Sequence, residues 1–299
     1  MLVPVSLITV NYNAGALLES CVLSGLSQAS EVVVVDNASS DDSLARLDAS
    51  CRSEGRLRVV RNRQNLGFAA ASNIGAKAAS GRYLLFLNPD CFLEPESLAR
   101  LIQAIEANPQ TGMAGGLLLD PDGAEQGGGR RAAPTPGRSL VRAFGLSRLA
   151  HRWPRLFFDF HLHKQPLPDG PIEVEAISGA CMLVRREALE EVGPLDEGYF
   201  MHCEDLDWCM RFRQQGWKIL FVPDAEIVHH KGTCSRFRPI FVEWHKHKGM
   251  VRYYRKFFRH QYPEILMWLV AVGVWLRFTA VAGYYSLQHM ARRLGVKRG

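Results

Sequence analysis

The run Val32-Val33-Val34-Val35 limits the fold more than any other feature of the chain. Four successive β-branched residues favour an extended backbone. With no polar alternation, both faces of that strand must be covered, as in a parallel sheet flanked by helices. The neighbouring sequence repeats the theme. Residues 5–10 and 83–87 are further apolar runs, and residues 57–60 a shorter one. The spacing predicts helices over about residues 14–26, 67–79 and 96–107, the last opened by Pro95, which a first helical turn tolerates. Further on it predicts a strand over 173–185, helices over 187–192 and about 205–215, and a strand over 218–222. Strands separated by helical patterns imply right-handed crossovers and an α/β fold with a mostly parallel sheet.

Each early strand ends in a polar cluster: Asn11-Tyr12-Asn13, Asp36-Asn37 and Asn88-Pro89-Asp90. Ligands of open α/β sheets bind at the carboxyl ends of the strands, so three such clusters outline one site. Asp90 is placed to take a hard divalent cation and leave positions for phosphate oxygens. Taken alone, Asn-Pro-Asp is also a common turn. Asp36 can accept from a base N–H, or simply start a helix. Glu204-Asp205-Leu206-Asp207 puts three carboxylates into four residues at a helix start. The helix dipole explains some acidic residues there, and Asp207 can pair with Arg211 one turn on. Three exceed what a cap needs, and an ionised Asp can accept a proton. His229 follows an apolar strand, where histidine is usually structural but also serves as a metal ligand.

Charge divides the chain. Residues 236–299 carry 13 Lys/Arg against two Asp/Glu, while the first 235 residues carry 23 against 28. An acidic body with a basic tail suggests that the tail meets an anionic surface. Arg252, Arg255, Lys256 and Arg259 share one helical face, and Met250, Tyr253, Tyr254 and Phe257 the opposite one, the pattern of an interfacial helix. Residues 265–287 are apolar but interrupted by Arg277, which favours a membrane-surface or re-entrant helix over a full span. Seven arginines and no acidic residue lie between Arg130 and Arg155, in a Gly- and Pro-rich stretch readable as a solvated loop or as a flap that meets phosphate. The seven cysteines form no CxxC pair and read as reduced, buried thiols of a cytoplasmic protein. The N-terminus shows no secretory signal.

Together the clusters resemble the inverting glycosyltransferase family 2, with its GT-A fold, and within it the rhamnosyltransferase-like branch. The likeness spans roughly residues 3–235. It rests on seven runs in order: residues 7–13, 34–39, 65–73, 87–90, 178–182, 200–207 and 228–229. The resemblance implies a GT-A domain over 1–235 and a helical, basic, membrane-associating tail over 236–299. It implies that Thr9, Asn11 and Asp36 surround the base and ribose. Asn65, Gly67, Phe68, Asn73, Asn88 and Gly179 would line the substrate pocket. Asp90 and His229 would hold Mg²⁺ or Mn²⁺, and Asp205, supported by Glu204, would be the catalytic base. One departure stands out: Asn88 occupies the first aspartate of the family's Asp-x-Asp motif, so Asp90 must share the metal with the donor diphosphate.

The expected activity is inverting transfer of a sugar from a nucleotide-sugar donor. By family likeness the donor is dTDP-L-rhamnose and the acceptor a polyprenyl-diphosphate-linked glycan. The expected location is the cytoplasmic face of the bacterial inner membrane, peripheral or monotopic, with no nucleic-acid partner. Rival readings are the same fold with glucose, galactose or N-acetylglucosamine as donor sugar, and a non-catalytic glycan-binding homologue. A nucleotidyltransferase would want a Gly-rich basic loop, which Asn11-Tyr12-Asn13-Ala14-Gly15 is not.

Overall fold

The structure is a computed structural model and describes residues 4–293 apart from 53, 144–151, 153–161, 231 and 233–237. The chain opens with β1 (Val5–Asn11), α1 (Ala16–Leu26), β2 (Glu31–Asp36), α2 (Ser43–Cys51), β3 (Leu57–Arg61), α3 (Phe68–Ala78) and β4 (Tyr83–Leu87). It continues through β5 (Cys91–Leu93), α4 (Ser97–Glu106), β6 (Thr111–Leu119), β7 (Arg130–Arg131), α5 (Pro136–Ala143), β8 (Ile172–Glu173), β9 (Ala176–Ile177) and β10 (Cys181–Arg185). It closes with α6 (Arg186–Val192), α7 (Glu204–Gln214), β11 (Lys218–His229), α8 (Pro239–Phe258) and α9 (Glu264–Arg293).

The main sheet runs β3-β2-β1-β4-β10-β6-β11-β5, with β8 on β11. Its first four strands are parallel, as the apolar runs predict. Alternate valines of β2 serve opposite faces: Val32 and Val34 pack toward α1, α2 and α4, and Val33 and Val35 toward α3, α6 and α7. Each fully buried valine or leucine contributes roughly 1.5–3 kcal/mol.

The strand expected over 173–185 is broken into three. β8 pairs with β11, β9 with β7, and β10 inserts antiparallel between β4 and β6. A turn at Ser178-Gly179, closed by Cys181 N–H to Ser178 C=O, makes the last break. The strand expected over 218–222 runs on to His229. Its pairing with β6 slips between Val222 and Glu226, around Pro223, which has no N–H to give the ladder.

The tail departs most from expectation. Tyr253 and Tyr254 of α8 are 1% and 2% exposed, packed with Tyr199 and Cys203 of the body rather than presented to a bilayer. Arg252 and Lys256 are not a free basic face either: both pair with Asp196, and Lys256 also with Asp207. The acidic body supplies anions to these two of the four residues of the basic stripe, and Arg255 and Arg259 stay exposed. α9 is one continuous helix through Arg277. Residues 264–291 are long and apolar enough to cross a membrane, and only 11% of their most apolar stretch is buried.

Candidate active site

Strand register gathers the polar clusters at one edge. Asn11 stands opposite Asp36 at the ends of β1 and β2. The β4 end meets the start of β10, where Leu87 faces Cys181 and Asn88 N–H donates to Ala180 C=O at 3.0 Å. His229 stands opposite Cys91, one residue beyond Asp90. Antiparallel β10 therefore starts where parallel β4 ends, which brings Gly179 and Asp90 to the same edge.

Asp90 and His229 are each 6% exposed, and Asp90 Oδ1 stands 3.4 Å from His229 Nε2. The far side of the ring fixes its tautomer. Gln126 Nε2 donates to Asp120 Oδ1 at 2.6 Å, so Gln126 Oε1 is the atom facing His229 Nδ1 at 2.7 Å. Nδ1 then carries a proton, and Nε2 of the neutral ring turns a lone pair toward a carboxylate oxygen. In the neutral ring these two electron-rich atoms suit a cation between them. Ligands about 2.1 Å from a hard cation lie about 3.0 Å apart at a right angle, close to this spacing. The residues present thus fit a divalent metal. Cys91 lies in the same cluster, but burial holds its thiol well above its ordinary value, and it packs as a neutral group.

Glu204 and Asp205 open α7 behind two consecutive left-handed residues, His202 (φ 64°) and Cys203 (φ 69°). Such conformations cost roughly 1–2 kcal/mol per non-glycine residue and persist only where surroundings enforce them. Here α8 packs against them at Gly249 and Lys246, and Trp208 anchors the helix that follows. Trp208 is fully buried between Phe86 and Phe212 and donates Nε1–H to Gly193 C=O at 3.0 Å. Asp205 Oδ1 accepts from Leu206 N–H at 2.8 Å, and Oδ2 from Gly179 N–H at 3.1 Å and Arg131 Nη2 at 2.5 Å. Burial raises the Asp205 pKa, but the Arg131 charge and these hydrogen bonds outweigh it and hold the carboxyl below its ordinary value. Burial, then the Asp205 charge, push Glu204 up to about 8, and its Oε2 is buried without a hydrogen-bond partner among the described residues.

The other expected residues divide into two groups. Asp36 accepts from Asn11 Nδ2 at 2.8 Å and from Ser39 N–H at 3.2 Å and keeps lone pairs toward the edge. Gly67 (φ 85°) has Phe200 C=O so close that a Cβ would strike it, and Phe68 N–H donates to that carbonyl at 2.7 Å. Asn65 caps this turn through Gly67 N–H. The polar side-chain atoms of Thr9, Asn11 and Asn73 are engaged inside the protein. Thr9 is buried under α1 beside the Cys21 thiol, and Asn11 bridges Asp36 and Ser43. Both amide hydrogens of Asn73 go to the 195–197 loop, to Leu195 C=O and Glu197 Oε1. Asp207 takes the plainer reading, paired with Arg211 at 2.8 Å and wholly buried. Of the arginine-rich stretch, Arg130 pairs with Glu125, Arg131 with Asp205 and Arg138 with Glu175. Arg148 and Arg155, with the rest of the expected flap over 144–151 and 153–161, lie outside the described residues.

Arg131, Gln126 and Asp120 escaped the reading of the sequence. Arg131 is 74 residues from Asp205 and Gln126 is 103 from His229, and no local pattern marks such partners.

Fold and edge together define an α/β protein whose ligand site crosses the carboxyl ends of its parallel strands. Comparison supplies the family. Residues 6–193 match the family described as glycosyl transferase family 2, and residues 138–292 match glycosyl transferase family group 2. The chain belongs to glycosyltransferase family 2 and is a glycosyltransferase. It is 32% identical over 243 residues to the N-acetylglucosaminyl-diphospho-decaprenol L-rhamnosyltransferase of Mycobacterium tuberculosis, covering 76% of each chain. It is 27% identical to rhamnosyltransferase WbbL of Escherichia coli, over 62% of this chain and 69% of that one. A mannosyltransferase of Pyrobaculum calidifontis, solved with GDP-Man and Mn²⁺, shares the fold (TM-score 0.57, 17% identity, 100% of this chain and 82% of that one). GalNAc-T7 with UDP, GalNAc and Mn²⁺ does so as well (TM-score 0.57, 22% identity, 76% and 44%). The fold is GT-A.

Proposed function

We propose that the protein transfers L-rhamnose from dTDP-L-rhamnose, with inversion, to a sugar carried on a polyprenyl diphosphate. The observation that carries the transfer reading is the Asp205 carboxylate, fixed at the sheet edge that also bears Asp90 and His229. Two carboxylate oxygens offer about four lone-pair sites. Leu206, Gly179 and Arg131 fill three, and the fourth, on Oδ1, is open to an acceptor hydroxyl. Asp205 takes that proton. The freed oxygen bonds to the anomeric carbon from the side opposite the diphosphate, and the sugar–phosphate C–O bond breaks with its electrons going to the diphosphate. Asp90 and His229 would hold Mg²⁺ or Mn²⁺, which would supply the positive charge that the leaving group needs. Asp36 accepts from the base, and Gly67 lets the donor loop close against Phe200.

The sugar and the lipid-linked acceptor are supported by the Mycobacterium tuberculosis relative, whose name specifies both L-rhamnose and a diphospho-decaprenol. Such an acceptor sits in a membrane, and α9 meets it. Its exposed residues include Ile265, Trp268, Leu269, Leu276 and Leu287. The first half of α9 lies along α8, with Trp275 on Trp244 and Phe278 beside His247. α8 is charged and docked to the body, so α9 lies in the interface of the cytoplasmic leaflet rather than across it. Exposed Arg255 and Arg259 remain for anionic headgroups.

The deciding experiment is Asp205→Asn. We expect turnover to fall about 10²–10⁴-fold while dTDP-L-rhamnose binding with Mn²⁺ persists. Near-normal turnover in that variant sinks the base assignment. A thermal-shift panel of nucleotide sugars with Mn²⁺ decides the donor.

A further inference from the structure

Arg131 has a built position. β7 and β9 form a two-stranded sheet of their own, with Arg130 opposite Ile177 and Arg131 opposite Ala176. Arg130 anchors it: its side chain is 2% exposed, donates to Glu125 at 2.8 Å and to Gln165 C=O at 2.7 Å, and lies over the Phe221 ring. The next residue therefore has little freedom. Arg131 Nη2 donates at once to Asp205 Oδ2 and to Ile177 C=O, 2.9 Å away. The same strand pair holds both the arginine and the carbonyl that orients it.

We propose that Arg131 is the positioning residue of the candidate base: its guanidinium locks Asp205 against the Gly179 amide, so that only the open lone pair of Oδ1 faces an acceptor hydroxyl. This rests on the reading of Asp205 as the base. Alone, Oδ2 would be a competing site for that hydroxyl, and the carboxylate would be free to turn. With Arg131 and Gly179 on Oδ2, one geometry survives. Such pre-orientation is how a proton acceptor gains rate without gaining basicity.

The lock has a titration signature. The ionisable groups facing Asp205 are Arg131 from β7, Glu204 and Cys209 on α7, and Cys203 and His202 before it. Lys246 and Glu243 of α8 act on His202. Arg131 is the cation in hydrogen-bond contact with Asp205, and Glu204 and burial both oppose ionisation of the pair. Removing the guanidinium leaves the opposing influences in place, so the Asp205 pKa must rise.

The test is the pH profile of kcat/KM for Arg131→Gln, Arg131→Lys and Asp205→Asn, each with donor binding measured separately. For Arg131→Gln we expect the acid limb to move toward neutral by about 1–3 pH units, with donor KM unchanged. Arg131→Lys keeps the charge, so its limb stays in place while kcat falls. An unmoved limb in Arg131→Gln, with Asp205→Asn inactive, overturns the role of Arg131 and leaves the base intact. Near-normal Asp205→Asn turnover overturns the base itself. Should the Gln variant not fold, Arg131→Lys decides: kcat equal to wild type overturns the proposal, and reduced kcat at unchanged donor KM supports it.

Discussion

Lys256 of α8 places its ammonium 2.6 Å from Oδ2 of Asp207, a carboxylate with no exposed surface. The same carboxylate accepts from Arg211 at 2.8 Å and from the Tyr199 hydroxyl at 3.1 Å. The tail thus supplies a counter-ion to the helix that carries Asp205. Lys256→Met should lower stability by about 1–3 kcal/mol. That is less than the loss of a wholly buried pair, because Lys256 is about a third exposed and Arg211 remains. Urea unfolding of the full chain checks this, and an unchanged midpoint refutes it.

Glu204 gives stability a pH dependence. Its folded pKa of about 8 lies above its ordinary 4.5. Below pH 4.5 both states are protonated and folding is not penalised. From there to about pH 8 only the unfolded chain ionises, so stability falls as pH rises. The melting temperature of wild type should therefore drop relative to Glu204→Gln across that window and run parallel above it. Curves that stay parallel from pH 4 to 9 contradict the assignment.

Gln126→Leu tests the tautomer of His229. Without the Gln126 carbonyl, Nδ1 loses its acceptor and Nε2 can take the proton. We expect Mn²⁺ affinity in the presence of dTDP to weaken about 10–100-fold, read by paramagnetic resonance of the free ion. Equal affinity in wild type and variant removes Gln126 from the metal site.

Membrane attachment through α9 should resist salt, because its exposed residues are apolar and half of the basic stripe on α8 is engaged by Asp196 and Asp207. Trp268→Glu with Leu276→Glu should release the protein from vesicles of phosphatidylglycerol and phosphatidylethanolamine. Release of wild type by 1 M NaCl alone would instead assign the attachment to Arg255 and Arg259.

The sequence made the parallel half of the sheet legible because covering both faces of a strand leaves a composition that needs no partner to interpret. Val32–Val35 says where it lies before any neighbour is known. The antiparallel insertion of β10 left no such mark, since a buried strand reads alike in either direction. Asp90, Asp205 and His229 follow strands or open a helix, so local context exposed them. Their supports, Gln126 and Arg131, sit on loops distant in the chain and became visible only through contact. The tail was half legible for a related reason. A helix with a basic stripe and aromatics on opposite sides suits an acidic protein surface as well as a lipid one, and Asp196 and Asp207 take only Arg252 and Lys256 of that stripe.

Because β10 lies between β4 and β6, the strands bearing Asp36 and Asp90 and those bearing the Gly179 turn and His229 form one unbroken ladder. Groups set on these strands cannot swing apart about a hinge, as they can where two lobes close on a ligand. The separation of the Gly179 turn from His229 is therefore set by strand register and not by the loops at the sheet's edge.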